Sequence, residues 1–252
     1  MLLIAPRGVI FCFDLSTLTT MSHILLSPTD TLIFNDTTLH RVHAAVDLPV
    51  HGVKRGDRGG WAARAYNVQE SAWIADEAKV YDDAVVSGQA IVRDEATVWG
   101  AAHVKEQAII SGNADIYDQA IVTSAAHVAE CAEVFGRACV SGNAMVTGST
   151  WVSGSALVTD ASVITGGVSI SGLMRIGGEA VITDPGDVCA VSFGAPTDAH
   201  ITLHRTKTGH LIHDDSWSGT LDDFQLQRLT GTLSKPQSLN LINFLRSCIS
   251  QW

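Results

Sequence analysis

Residues 76–100 read DEAKVYDDAVVSGQAIVRDEATVWG, and their spacing decides the fold. Ala78, Ala84, Ala90 and Ala96 stand six residues apart, and each is followed two residues later by valine. The same register runs in hexads from residue 72 to a last hexad opening at 180, without an insertion. Its third position holds only Val or Ile, from Ile74 and Val80 through to Ile176 and Ile182, and its first is nearly always Ala. A period of six scatters apolar residues all around a 3.6-residue helix, so the segment is not helical. The pattern predicts a β-solenoid.

Within one hexad the Ala and the Val lie two apart and point to the same side of a short strand, inward. The fifth position is mostly Gly, Asp or Glu, residue types that tolerate a corner. Three strands and three corners make a triangular coil, and roughly six such coils, about 4.8 Å apart, give a prism about 30 Å long. Each inward Val or Ile contributes roughly 1.5–3 kcal/mol by leaving water.

Composition agrees with a core of small branched side chains. The chain has 252 residues, 46% hydrophobic but only 6% aromatic. A formal net charge of −10 argues against binding a phosphate backbone, and no nucleic-acid partner is expected. Five scattered cysteines without CxxC spacing read as reduced intracellular thiols, which points to the cytoplasm. Residues 1–22 form a leader-like stretch, but Arg7 and Asp14 interrupt its apolar run, and Met21 is an alternative start. With no apolar run of about 20 residues, no membrane association is expected.

The repeat resembles the left-handed β-helix, or hexapeptide-repeat, proteins. The flanks are similar to one group among them, the YdcK-like proteins of bacteria and phages. The segment before the repeat carries that group's G-D-x-G-G-aromatic element as Gly56, Asp57, Arg58, Gly59, Gly60 and Trp61, and the tail matches at Trp217, Ser218, Gly219, Thr220 and Leu221. The resemblance spans most of residues 38–230. It implies a left-handed coil and a homotrimer, and it brings in two activities found on this fold, acyl transfer and γ-class carbonic anhydrase chemistry.

The expected fold class is therefore an all-β solenoid, a left-handed parallel β-helix at 71–184. An N-terminal cap at 23–70 and a small α/β cap at 185–252 cover its ends, since a solenoid end exposes unpaired backbone and apolar cross-section. In the C-terminal cap the sequence predicts strands at 201–206 and 210–213. Thr220 and Asp223 form a capping box for a helix, and a second helix after Pro236 buries Leu239, Ile242, Phe244, Leu245 and Ile249.

Sorting the outward positions by face gives the candidate sites. On one face the fourth hexad position reads Tyr81, Trp99, Tyr117 and Phe135, then Ser153, an aromatic ladder one coil per rung. The second position on the other faces reads Trp73, Ile91, Ile109, His127, Met145, Val163 and Val85, His103, Ile121, Cys139, Leu157. Rows this apolar mark either subunit interfaces or a surface for a small-molecule or protein ligand at the subunit boundary. The only histidines inside the repeat, His103 and His127, are the candidate catalytic bases.

The resemblance sets the terms for catalysis. Acyltransferases of this fold use a His beside a loop that breaks the coil, and no such loop interrupts 72–182. An anhydrase needs three His on one metal, and two histidines four hexads apart do not supply it. His200, His204, His210 and His213 read as solvated hairpin side chains, so no metal site is expected. The acidic corners Asp76, Glu77, Asp82, Asp83, Asp94 and Glu95 read as solubilising. The preferred expectation is a trimeric binding or scaffold module without a cofactor, phage or prophage encoded by resemblance. The alternative is an acyltransferase with an acyl-CoA donor at the subunit interface.

Overall fold

The computed structural model describes residues 22–193, 200–214, 216–228 and 235–252; the leader-like segment lies outside them up to residue 21. The repeat forms stacked parallel coils, a β-solenoid of about seven turns, one more than the hexad register alone counts. Each hexad contributes a strand of two residues, its second and third positions, as in Ile91–Val92 and Thr97–Val98. Ile91 pairs with Ile109 and Ile109 with His127, a step of eighteen residues and therefore three strands per coil. The three sheets carry the ladder row, the Trp73 row and the Val85 row; they are called the ladder face, the second face and the third face below.

The inward assignment is seen at every level of the prism. Ala84, Val86, Ala90, Val92, Ala120 and Val122 are all fully buried in one continuous core. A column of alanines and β-branched residues stacks without large gaps because parallel in-register pairing places like side chains directly over one another.

The corners explain the acidic residues. Asp76, Asp82, Asp94, Glu106, Asp118, Glu130 and Asp160 sit at fifth positions with φ between 51° and 62°, in the left-handed region. Their carboxylates accept from the backbone N–H of the corner one coil further on: Asp94 from Gly112 at 2.8 Å, Glu106 from Ser124 at 2.9 Å, Asp160 from Gly178 at 2.7 Å. These side chains join coils, which corrects the reading of them as merely solubilising.

Where the corner is glycine, contact is close as well as left-handed. At Gly112 φ is +66° and a Cβ would stand 2.8 Å from the Glu130 nitrogen, whereas at Gly172, φ +68°, a Cβ would meet nothing within 4 Å. Gly112→Ala is expected to cost about 2–3 kcal/mol and Gly172→Ala about 1, since both pay the left-handed strain and only the first presses on a neighbouring coil. Denaturant unfolding of the two variants side by side checks the difference.

The ends differ chemically because the ladder has a direction. Outside the two-residue strands, the backbone bonds between coils run one way, from an N–H of one coil to a carbonyl of the next, as from Trp73 to Ala90 and from Ile91 to Ala108. The first coil is thus left mainly with free carbonyls and the last mainly with free N–H groups.

The N-terminal segment meets the carbonyls with donors. Strands Ile24–Phe34 and Thr37–Ala44 form an antiparallel hairpin, which pairs with Arg58–Ala62, and that strand in turn pairs in parallel with Lys79–Val80. Arg41, buried, donates through Nη1 to Gly59 O and Asp76 O, both at 3.0 Å. Its guanidinium lies 3.6 Å over the Trp61 ring, and Trp61 Nε1 donates to Glu77 at 2.7 Å. His23 Nε2 bonds Ala72 O at 2.9 Å and His51 Nε2 bonds Ser71 O at 2.8 Å; against a carbonyl each ring nitrogen must carry its proton. The G-D-x-G-G-W element is this joint: a Cβ at Gly59 would fall 2.4 Å from Ile74 O, and one at Gly60 2.6 Å from Ala78 O.

The C-terminal segment meets the N–H groups mostly with acceptors, while Lys207 N donates to Glu179 O at 3.1 Å. A sheet of Val188–Ser192, His200–Thr206, Gly209–His213 and Ser218–Gly219 lies against the last coil. Arg175 N donates to Thr202 Oγ1 at 3.1 Å, Gly177 N to His204 Nε2 at 3.4 Å, and Ala180 bridges Thr206. His204 is fully buried and stacks on His213 at 5.1 Å, so these two are not solvated hairpin histidines as the sequence suggested. His204 is a capping group, and His213 packs against it.

Two helices follow, α1 (Leu221–Arg228) and α2 (Lys235–Ile249). The capping box is present, with Thr220 N donating to Asp223 Oδ2 at 3.1 Å and Asp223 N to Thr220 Oγ1 at 3.3 Å. The packed face of α2 carries Leu241, Ile242 and Leu245, while Leu239 and Phe244, expected inside, are 55% and 48% exposed. The inward stripe follows the i, i+1, i+4 positions facing the sheet, and Leu239 and Phe244 fall on either side of it.

Candidate functional site

The ladder face is the most organised surface of the prism. Tyr81 stacks on Trp99 at 6.1 Å and 2°, Trp99 on Tyr117 at 4.8 Å and 9°, and Tyr117 on Phe135 at 4.9 Å and 3°. The spacing follows from the coil rise, because a ring at the same outward position of each coil can only lie flat on its neighbour. At the N-terminal end Phe34 of the hairpin meets Tyr81 edge-on at 5.8 Å, and Asn35 Nδ2 donates to its hydroxyl at 3.2 Å. Tyr81 is thereby buried, and so is Trp73 at the head of the second face. The upper rungs of both rows are consumed within the chain, leaving the lower ones to face outward.

Beside the ladder runs the second-position row Lys79, Thr97, Asp115, Glu133, Trp151. Asp115 and Glu133 are direct partners on adjacent coils. Burial, then the Glu133 charge, pushes the Asp115 carboxyl above its ordinary range, against a hydrogen bond from Thr97. Tyr117 donates its hydroxyl proton to Glu133 Oε2 at 2.9 Å, and burial together with this acceptor holds the phenol strongly protonated.

The predicted histidines are not brought together. His103 is exposed on the third face, and His127 is half-buried on the second. His127 Nε2 is 2.8 Å from the Oγ of Ser111, a buried side chain, and burial followed by the Arg93 charge lowers its pKa. Ser111 was invisible to a search for catalytic residues, yet a spacing rule finds it. Ser111 to His127 and Tyr117 to Glu133 are both sixteen residues apart, a fourth position reaching diagonally to the second position of the next coil.

Several concavities among the described residues are open and mixed in lining. One of about 430 Å³ is lined by Val50, His51, Gln89, Ile91, Arg93, Gln107 and Ile109, and neither repeat histidine borders it. Among the described residues no three His, Cys, Asp or Glu side chains gather in a metal-holding group, and no helix is long and apolar enough to cross a membrane. Two of the scattered cysteines do meet: Cys189 contacts Cys248 of α2, and burial, then that contact, pushes the Cys189 thiol up to about 11.

Compared with known proteins, the chain matches no protein-family model and no curated protein sequence. The functional reading therefore rests on its own surfaces.

Proposed function

We propose that this chain is a left-handed β-helix of the YdcK-like group that assembles as a homotrimer and serves as a binding or scaffold module in the cytoplasm. The carrying observation is the apolar row of the second face below its capped head. Ile91, Ile109 and Val163 are half-buried there and Met145 is 42% exposed, all on rigid paired strands. Ile121, Cys139 and Leu157 form a matching row on the third face. Two flat apolar faces meeting at a corner suit threefold closure, in which one face of each copy covers the other face of its neighbour.

Native mass spectrometry tests this directly. The expected species is a trimer, and Met145→Glu is expected to yield a monomer that keeps the folded circular-dichroism spectrum, because the side chain it replaces is open to solvent in the single chain. A wild-type monomer would overturn the reading. The acyltransferase alternative gains no support from the site: His127 Nε2 is engaged by Ser111, and His103 does not line the cleft described above.

A further inference from the structure

The stacked ladder uses up its own ring faces. Trp99 and Tyr117 are covered on both sides, so a ligand approaching the ladder from the side meets only ring edges. Phe135 differs. One face lies on Tyr117, and among the described residues no ring covers the other. The next rung is Ser153, half-buried, and the rung after that is Ser171, also half-buried.

The neighbouring row changes at the same level. Trp151 follows Glu133 in register and is 51% exposed, and Ser169 follows Trp151, exposed. The last two coils of this face thus present Trp151, Ser153, Ser169 and Ser171 outward, beside the face of half-buried Phe135 that carries no stacked ring. None of the four is charged, whereas the two coils before them carry Asp115 and Glu133.

We propose that this end of the ladder is a binding site for a pyranose ring of an uncharged glycan. The level one coil rise beyond Phe135, the separation at which the ladder's own rings stack, carries a serine in place of a ring, and a sugar ring fits there with its C–H face on the phenyl ring. Trp151 supplies a second apolar surface at the side. The three serine hydroxyls each donate and accept, which matches the dual character of sugar hydroxyls better than the fixed donor and acceptor edge of a nucleobase. A net charge of −10 opposes an anionic ligand, and the adjoining carboxylate, Glu133, already accepts from Tyr117.

This inference deepens the binding-module reading and rests on it, and the two fail separately. The probes are cellotetraose, maltotetraose and chitotetraose, with adenosine as a flat aromatic control, titrated against the full chain by calorimetry and tryptophan fluorescence. At least one saccharide is expected to bind with a Kd of about a millimolar, typical of a small, open site. Trp151→Ala is expected to weaken it about tenfold or more. Ser153→Phe adds the missing rung; it is expected to abolish saccharide binding while raising the melting temperature, an outcome that loss of folding cannot mimic. Absence of binding by all three saccharides, binding untouched by Ser153→Phe, or binding of adenosine alone would each overturn the proposal. A trimer that binds no saccharide would leave the assembly reading standing.

Discussion

Val122→Asp is expected to abolish the folded solenoid, whereas Ile121→Asp on the same strand leaves it folded. Val122 is fully buried between Val104 and Val140 of the adjacent coils, in a core that offers a carboxylate no hydrogen-bond donor. Ile121, its neighbour in the strand Ile121–Val122, is outward and only half-buried. Burying an unpaired charge at this point costs about 4–5 kcal/mol or more, comparable with the whole stability of many domains. Soluble yield and a circular-dichroism melt of the two variants check the result. Soluble Val122→Asp protein with an unchanged melt would disprove the inward assignment.

Acid is expected to loosen the C-terminal cap before it harms the solenoid. Burial lowers the His204 pKa from 6.5 to about 4, with the nearby His213 and His210 adding to the effect and a hydrogen bond to Arg205 O opposing it. The geometry gives the same sign. Nε2 accepts from Gly177 N while Nδ1 contacts Arg205 O at 3.2 Å, so the imidazole is neutral with its proton on Nδ1. A second proton would set N–H against N–H. Asp160 and Arg175 act on the stacked partner His213, whose pKa burial also lowers.

Because the folded pKa lies below the unfolded one, the unfolded chain takes up the proton first. The contribution of neutral His204 is complete above pH about 6.5 and is lost as pH falls toward about 4, to a limit of roughly 3 kcal/mol. Thermal unfolding followed from neutral pH to about pH 4.5 is expected to show the loss, and His204→Gln, which keeps an acceptor without titrating, is expected to flatten that pH dependence. An equal acid loss in the variant would place the sensitivity elsewhere.

The solenoid was legible in the hexads because each one states its own burial: Ala and Val in, the residues around them out, with a left-handed corner at the fifth position. The ladder was legible for the same reason, as a column needs only a register. What escaped the sequence is what joins coils across that register. Asp94 looks like a solvated charge until the corner of the next coil is laid over it, and Ser111 belongs to His127 only through a diagonal that the linear pattern does not display.

The caps were legible as places but not as chemistry. Nothing in "HITLHRT" says that Thr202 and His204 supply acceptors, because that requirement comes from the last coil's direction and not from their own neighbours. On α2 the inward stripe was misplaced at Leu239 and Phe244, since a short helix with apolar residues on several sides can be rotated until its partner sheet is known.

The opposite chemistry of the two ends bears on how copies of this chain meet. An uncapped first coil would present mainly carbonyls, an uncapped last coil mainly N–H groups, and the two ends fit one another with the hydrogen bonds and the 18-residue register of the interior. Head-to-tail docking of that kind never closes, so each addition would expose a fresh end identical to the last and a fibre would grow. Arg41, His23 and His51 at one end and Thr202 and His204 at the other occupy the very groups such growth would use. They keep a shape suited to endless polymerisation at a finite length.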